Sequence, residues 1–289
     1  MTSWLLEFSE LQFTYPGSGR PVLRGVSFGI PEGKKCALLG RNGCGKSTLF
    51  LHANGILQPQ AGQVSWRGVP FVYKRSFLQE MTQKVGLVFQ DPEHQLIAST
   101  VAEDISYGLV NRKLPPEVIR EKVEKVLAAF GMTELADVPI HHLSLGQKRR
   151  LALAGVMVLE PELLLLDEPT AYLDRYQTKV LLRELDAIHQ EGTTVLMATH
   201  DMDIAFEWAE WMCVMDGGRL VFAGEPREAL EQKAMLESLH LGVPLVAEVW
   251  EVLPDSLKRE LGAGIPRSVD ELKNRLAGRF EAKRETAPV

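Results

Sequence analysis

The segment that most restricts the fold is "GRNGCGKS", residues 40–47, which meets the pattern G-x-x-x-x-G-K-[ST] at every fixed position. It follows the apolar run "KKCALLG" and opens "KSTLFLHANG", so it reads as a buried strand, a glycine-rich loop and a helix that stops at Gly55. That order builds a phosphate cradle. Backbone N–H groups along Gly40, Arg41, Asn42, Gly43, Cys44 and Gly45, continued by the helix start at Lys46, Ser47 and Thr48, can surround phosphate oxygens. Lys46 is then placed for the β and γ oxygens and the Ser47 hydroxyl for Mg2+. Cys44 reads as a small filler residue of the loop rather than a redox switch.

A companion lies downstream. In "LLLLDEP", four apolar strand residues carry Asp167 and Glu168 to the carboxyl end of a sheet, where phosphate ligands bind. Asp167 suits Mg2+, directly or through water, and Glu168 suits polarisation of an attacking water. Around these two motifs, "TTVLMATH" and "WMCVMDGG" read as further strands separated by helix-length segments, which predicts a parallel sheet covered on both faces. Residues 5–15 and 22–30 predict an antiparallel opening sheet, with "GQVSWRG" and "KVGLVFQ" as two more short strands. Between residues 91 and 159 the texture turns helical, in "TVAEDISYGLV", "PPEVIREKVEKVLAAFG" and "KRRLALAGVMVLE". A helix over "EPREALEQKAMLESLHLG" and a shorter Pro-punctuated tail complete the chain, its last few residues expected to fray.

Composition removes other classes. A net charge of −6 over 289 residues argues against nucleic acid, whose backbone is bound by clustered Lys and Arg. Cys36, Cys44 and Cys213 are too scattered for a disulfide framework or a CxxC metal site, which points to a reducing cytoplasm. The start "MTSWLLEFSE" lacks the pattern of a signal peptide, and the most apolar stretch is broken by Glu160, Pro161 and Glu162, so a soluble chain is expected. His141 and His142 read as loop residues, and His94 is given no ligand role.

The order of the motifs over residues 5–224 resembles that of the ABC-type ATPases: the phosphate loop, Gln90 after a strand, "LSLGQ" at residues 143–147, the Asp-Glu strand end, a loop with Asp174, and a strand ending in His200. The resemblance implies an α/β P-loop NTPase fold of RecA-like type. Its parts are a mostly parallel sheet core, an N-terminal antiparallel β subdomain, an inserted helical subdomain at about residues 91–160 and, over residues 225–289, a small α-rich extension that could contact a dimer partner. It implies catalytic roles for Lys46, Gln90, Glu168 and His200, Mg2+ ligation by Ser47, Gln90 and Asp167, and stacking of Tyr15 on adenine. Ser144, Gly146, Gln147 and Asp174 would meet the ATP held by a second copy, since a helix start with a hydroxyl and free amides is an anion site. Two positions depart from the family. Leu145 replaces the first Gly of LSGGQ; Ser144 and Gly146 are the phosphate-facing positions, so function is expected to survive, while the local backbone and the turnover rate stay open because Leu tolerates positive φ poorly, and Tyr172 stands where a small residue is commoner.

Within "VFQDPEHQLIASTVAEDISYG", Asp91, Pro92, Gln95, Thr100, Val101, Glu103, Asp104 and Gly108 resemble the stretch found in the ATPases of energy-coupling-factor importers. That likeness implies docking of integral membrane subunits between Gln90 and Gly108, and a peripheral place on the cytoplasmic face of the membrane. Because both half-sites are complete in one chain, a symmetric homodimer is expected, and with it cobalt or nickel as cargo, carried by the membrane partners rather than by this chain. The alternatives are a vitamin importer of the same type, a soluble ABC protein acting on DNA or the ribosome, and a small-molecule P-loop kinase. The absence of a coiled-coil insertion or tandem cassette speaks against the second, and "LSLGQ" with His200 against the third.

Overall fold

The computed structural model describes residues 3–262 and 264–285. Strands β1 (Trp4–Phe13) and β2 (Leu23–Pro31) pair antiparallel, with register shifts that interrupt the alternation of buried and exposed residues. The next strand, β3 (Lys35–Leu39), enters the phosphate loop, and α1 (Lys46–Ala53) leaves it. Returning to the first sheet, β4 (Ala61–Trp66) and β5 (Val69–Pro70) complete the order β2-β1-β4-β5.

The second sheet holds the site. Its remaining strands are β6 (Val85–Val88), β7 (Leu163–Asp167), β8 (Thr194–Thr199), β9 (Trp211–Asp216) and β10 (Arg219–Gly224), in the order β10-β9-β3-β8-β7-β6. All neighbours run parallel except the β9/β10 edge pair. Residues Cys36–Leu39, all of β7 and all of β8 are buried, because helices cover both faces; this is why they read as continuous apolar runs. Parallel register brings the carboxyl ends of β3, β7 and β8 to one edge, so three motifs distant in sequence open on the same crevice.

Among the elements that went unassigned from sequence pattern are α2 (Arg75–Lys84) and β10. The first buries only Met81 and the second alternates between exposure and partial burial, so neither carries a strong apolar signature.

Helices α3 (Val101–Asn111), α4 (Pro116–Ala129) and α5 (Leu145–Met157) enclose their own core, with Ile105, Leu109, Leu127, Leu151 and Ala154 buried. Thr100 and Glu103 form a capping box at the start of α3, and Asp104 Oδ1 accepts from the N–H groups of Ile97 and Ala98, fixing the approach from Gln90. After β7 come α6 (Arg175–Gln190) and, after β8, α7 (Met202–Trp208).

Past Gly224 the single helix read from the sequence is two, α8 (Pro226–Glu231) and α9 (Lys233–Ser238), broken at Gln232 where the backbone leaves the helical region. The tail is more regular than its prolines suggest: α10 (Leu245–Val252), α11 (Asp255–Glu260) and α12 (Val269–Glu285) follow, Pro244 and Pro254 serving as helix starts. Residues 286–289, where fraying is expected, lie outside the described residues. Ala229, Leu236, Val246, Trp250 and Leu272 of the extension bury into the same core as Phe206 and Trp208 of α7, so the extension is part of one packed body.

Arg267 fastens it. Its Nε donates to Phe206 O at 2.6 Å, its Nη2 donates to Ala209 O, and its guanidinium lies 5.1 Å from the Phe206 ring centroid. Those carbonyls belong to the last turn of α7 and have no helical donor of their own. Arg267→Ala leaves them unpaired and is expected to cost about 1–3 kcal/mol. Thermal unfolding followed by circular dichroism should show Tm lowered by several degrees; an unchanged Tm would mean the extension is held by apolar packing alone.

Candidate active site

The phosphate loop is shaped by glycines that no larger residue could replace. Gly43 and Gly45 have φ of 80° and 111°, and a Cβ on Gly40 would fall 2.5 Å from Met215 O and 2.6 Å from Cys44 Sγ. Cys44 is buried and its thiol is pushed up by that burial, as a filler residue would be. Arg41 and Asn42 are exposed on the loop.

The loop, Gln90 and the end of β7 line one open cleft of about 370 Å³, bounded by Asn42, Gly43, Gly45, Lys46, Ser47, Thr48, Gln90, Asp167 and Glu168. Val22, from the chain entering β2, also lines it, and no spacing in the sequence marks it because it comes from the other sheet. Lys46 Nζ donates to Gly40 O at 2.6 Å and sits 3.1 Å from Glu168 Oε1 as an ion pair. Both side chains are buried, at 5% and 7% exposure, so their charges act at full strength on whatever enters. On the other side of the carboxylate, His200 Nδ1 donates to Glu168 Oε2 at 2.9 Å.

Glu168 has a left-handed backbone, φ 47°, a conformation non-glycine residues adopt at a cost of about 1–2 kcal/mol. Its N–H donates to Ala198 O, which anchors the turn to β8. Strain of this kind is retained where geometry matters to function.

Asp167 is held differently. Burial pushes its carboxyl up, Glu168 adds to the rise, and a hydrogen bond from Ser47 and the Lys46 charge oppose it. Carboxylate, hydroxyl and the Gln90 amide together offer hard oxygen donors, a set that fits Mg2+.

Tyr15 stands outside that cleft but is tied to it: its hydroxyl lies 3.3 Å from Thr48 Oγ1, and its ring meets Phe13 edge-on at 5.0 Å with one face part-exposed. Ser144 and Gln147 form a reciprocal capping box at the start of α5, Gln147 N donating to Ser144 Oγ at 3.2 Å and Ser144 N to Gln147 Oε1 at 2.8 Å. Asp174 caps α6 by accepting from Gln177 N at 2.8 Å. None of Ser144, Gly146, Gln147 and Asp174 lines the phosphate-loop cleft of its own chain. A Cβ on Gly146 would meet nothing within 4 Å and its φ is not positive, so nothing inside the chain calls for glycine there.

The backbone at Leu145, left open by the sequence, is helical. Leu145 is the first residue of α5, its φ is not positive, and its side chain points partly to solvent, 47% exposed. Leu145→Gly should therefore relieve nothing and should lose about 0.5–1 kcal/mol of helix stability. A denaturant titration would register this as a small fall in midpoint, and a gain would restore the strain argument. Tyr172 is in the left-handed region at φ 61° and 85% exposed.

A phosphate loop, an Asp-Glu strand end and a capped Ser-x-Gly-Gln helix on this fold define an ABC-type ATPase. Residues 23–171 match the ABC transporter family model. Over 250 residues the chain is 54% identical to a putative ABC transporter ATP-binding protein of Nostoc sp., covering 86% of this chain and 91% of that one. It is 40% identical to the energy-coupling factor transporter ATP-binding protein EcfA of Methanocaldococcus jannaschii, over 86% of this chain and 89% of that one. Among solved structures, cbiO1 from Clostridium perfringens, described as part of the ABC transporter complex cbiONQ, superposes with a TM-score of 0.74 at 39% identity, covering 86% of this chain and all of that one. The chain belongs to the ABC transporter ATPase family and, within it, to the energy-coupling factor ATP-binding proteins.

Proposed function

We propose that this ATPase powers an energy-coupling factor importer for cobalt or nickel ions, as a head-to-tail homodimer on the cytoplasmic face of the membrane. The observation that carries the catalytic part is the buried Lys46–Glu168 pair at the mouth of the phosphate loop, with the exposed His200 hydrogen-bonded to its carboxylate. The loop amides and Lys46 bind and orient the β and γ phosphates. Glu168, turned into the cleft by its left-handed backbone, takes the proton of the attacking water, and His200 steadies it. Mg2+, when bound by Ser47, Asp167 and Gln90, supplies neutralisation of the phosphate charge. Tyr15, braced by Thr48, offers a face for adenine.

The dimer reading rests on Gly146. A glycine that the chain itself does not need, beside a helix start outside its own phosphate cleft, suits close approach of another molecule's phosphate. With Asp174 at the same seam, each chain would complete its partner's site. The region from Gln90 to Gly108, rigidified by Asp104 and the Thr100–Glu103 box, is the proposed seat of the membrane subunits. Among the described residues no helix is long and apolar enough to cross a membrane, which fits a peripheral subunit bound to such partners. The cargo reading rests on both half-sites being complete in one chain, since in the family it resembles homodimers are commonest in the cobalt and nickel branch.

The test is affinity purification of the tagged chain from detergent-solubilised membranes, identification of its partners by mass spectrometry, and uptake of radioactive cobalt by the reconstituted assembly. Integral partners and ATP-dependent cobalt uptake are expected. Uptake of a vitamin instead would overturn the cargo, and recovery with ribosomes would overturn the transport reading.

A further inference from the structure

A second cavity lies behind the start of α5. It has a volume of about 330 Å³, within the range of small-molecule sites, and runs between α5 and α6 with β6 and β7 as its floor. Its walls are apolar: Val88, Leu153, Leu166, Leu173, Val180 and Leu181. Ser144, Gly146 and Gln147 edge it, yet apart from Gln90 no residue of the phosphate-loop cleft does.

Its charged groups do not balance. Arg150 is answered by Glu184, Nε to Oε1 at 3.3 Å. Arg149 is not: its Nε and Nη1 are buried with no hydrogen-bond partner, and it makes no ion pair among the described residues, Asp91 acting on it only at longer range. A guanidinium presents its donors in a planar fork that matches a carboxylate, and Arg149, which lines the cavity with Nε and Nη1 enclosed and unpaired, gains those bonds by turning its fork onto an anion there.

We infer that this cavity is a binding site for a small amphipathic carboxylate, its anionic end on Arg149 and its apolar body between α5 and α6. The charge selects the class. A neutral apolar ligand would leave the Arg149 donors unanswered, and a simple inorganic anion would leave the leucine walls unfilled. The site also touches regulation. Its walls are the helices that begin at Ser144 and Asp174, so an occupant would hold these two starts apart, and ATP turnover should fall without competition for ATP. That consequence rests on the proposed seam between two copies; the binding itself does not.

The experiment uses the full chain and 2-naphthoate as probe, with 2-naphthamide as its neutral counterpart and acetate as its headgroup alone, by isothermal titration calorimetry. One 2-naphthoate per chain is expected. The amide should bind at least about tenfold more weakly, as should the acid to Arg149→Gln, since charge-assisted pairs are worth roughly twice neutral ones. Leu181→Trp, which fills the cavity, should abolish binding, and acetate should give no heat. Equal affinity for acid and amide, or undiminished affinity in Arg149→Gln, would overturn the site. Should Arg149→Gln fail to fold, judged by its thermal melt and ATP binding, the acid-against-amide comparison on the unaltered chain decides alone. If 2-naphthoate does not bind and the cavity is protected from hydrogen exchange only in the membrane assembly, a partner segment covers it and the carboxylate site is wrong. Binding that persists while turnover stays unchanged would retain the site and refute the proposed seam.

Discussion

Glu168→Gln is expected to bind ATP and to hydrolyse it about 10²- to 10⁴-fold more slowly, the usual weight of a positioned general base. The amide keeps the size of the carboxylate and can still accept from His200, so the left-handed turn after β7 should persist. What disappears is the proton acceptor and the anion 3.1 Å from Lys46. Removing that anion leaves the buried ammonium free for phosphate, so ATP should bind at least as tightly as to the unaltered chain. Bound but unspent, ATP should hold two chains together, visible as a dimer by size-exclusion chromatography in ATP and a monomer without it. Steady-state ATPase activity settles the chemical half: an active Glu168→Gln chain would remove Glu168 as base. A variant that binds ATP and stays monomeric, alone and in its membrane assembly, would remove the shared seam.

The second large effect is at Ser144→Arg. The substitution removes the Ser144 Oγ cap of α5, which costs about 0.5–2 kcal/mol, and places a long side chain where another copy's phosphates would approach. Since Ser144 does not line its own chain's phosphate cleft, nucleotide binding to the isolated chain should be unchanged while turnover falls at least about a hundredfold, in line with the loss of a phosphate-facing donor. Ser144→Ala separates the two causes, losing the cap without adding bulk. A mixture with a Lys46→Ala chain is the sharper measurement. Each chain alone should be inactive, but a mixed dimer pairs an intact loop from one with an intact Ser144 from the other, so partial activity should return. Silence in the mixture, with both chains folded, would show that the two motifs do not serve one site.

Much of this was readable in the sequence for a local reason. The phosphate loop completes its geometry within one short segment, so its spacing announces it; the Asp167-Glu168 strand end gains its meaning from that loop, and the Ser144 start of α5 from the family resemblance. The buried parallel strands were equally plain, because a strand covered on both faces must be apolar throughout. What Leu145 does to the backbone was open in the sequence, and the structure answers it: a capped helix start needs no left-handed residue. The helical character expected of the extension is what the structure has, with Pro244 and Pro254 standing directly before helix starts.

By itself, then, the sequence determined which chemical groups the chain owns and the local turn in which each is displayed. Only the tertiary structure decided which of them meet. Residues 46, 168 and 200 converge because parallel register aligns the ends of β3, β7 and β8; the extension shares a core with α7 because Arg267 and buried Trp250 reach it; and Arg149 Nε and Nη1 find no hydrogen-bond partner among the described residues beside the gap between α5 and α6. Such meetings arise from packing across long chain separations, a quantity no short window of residues encodes.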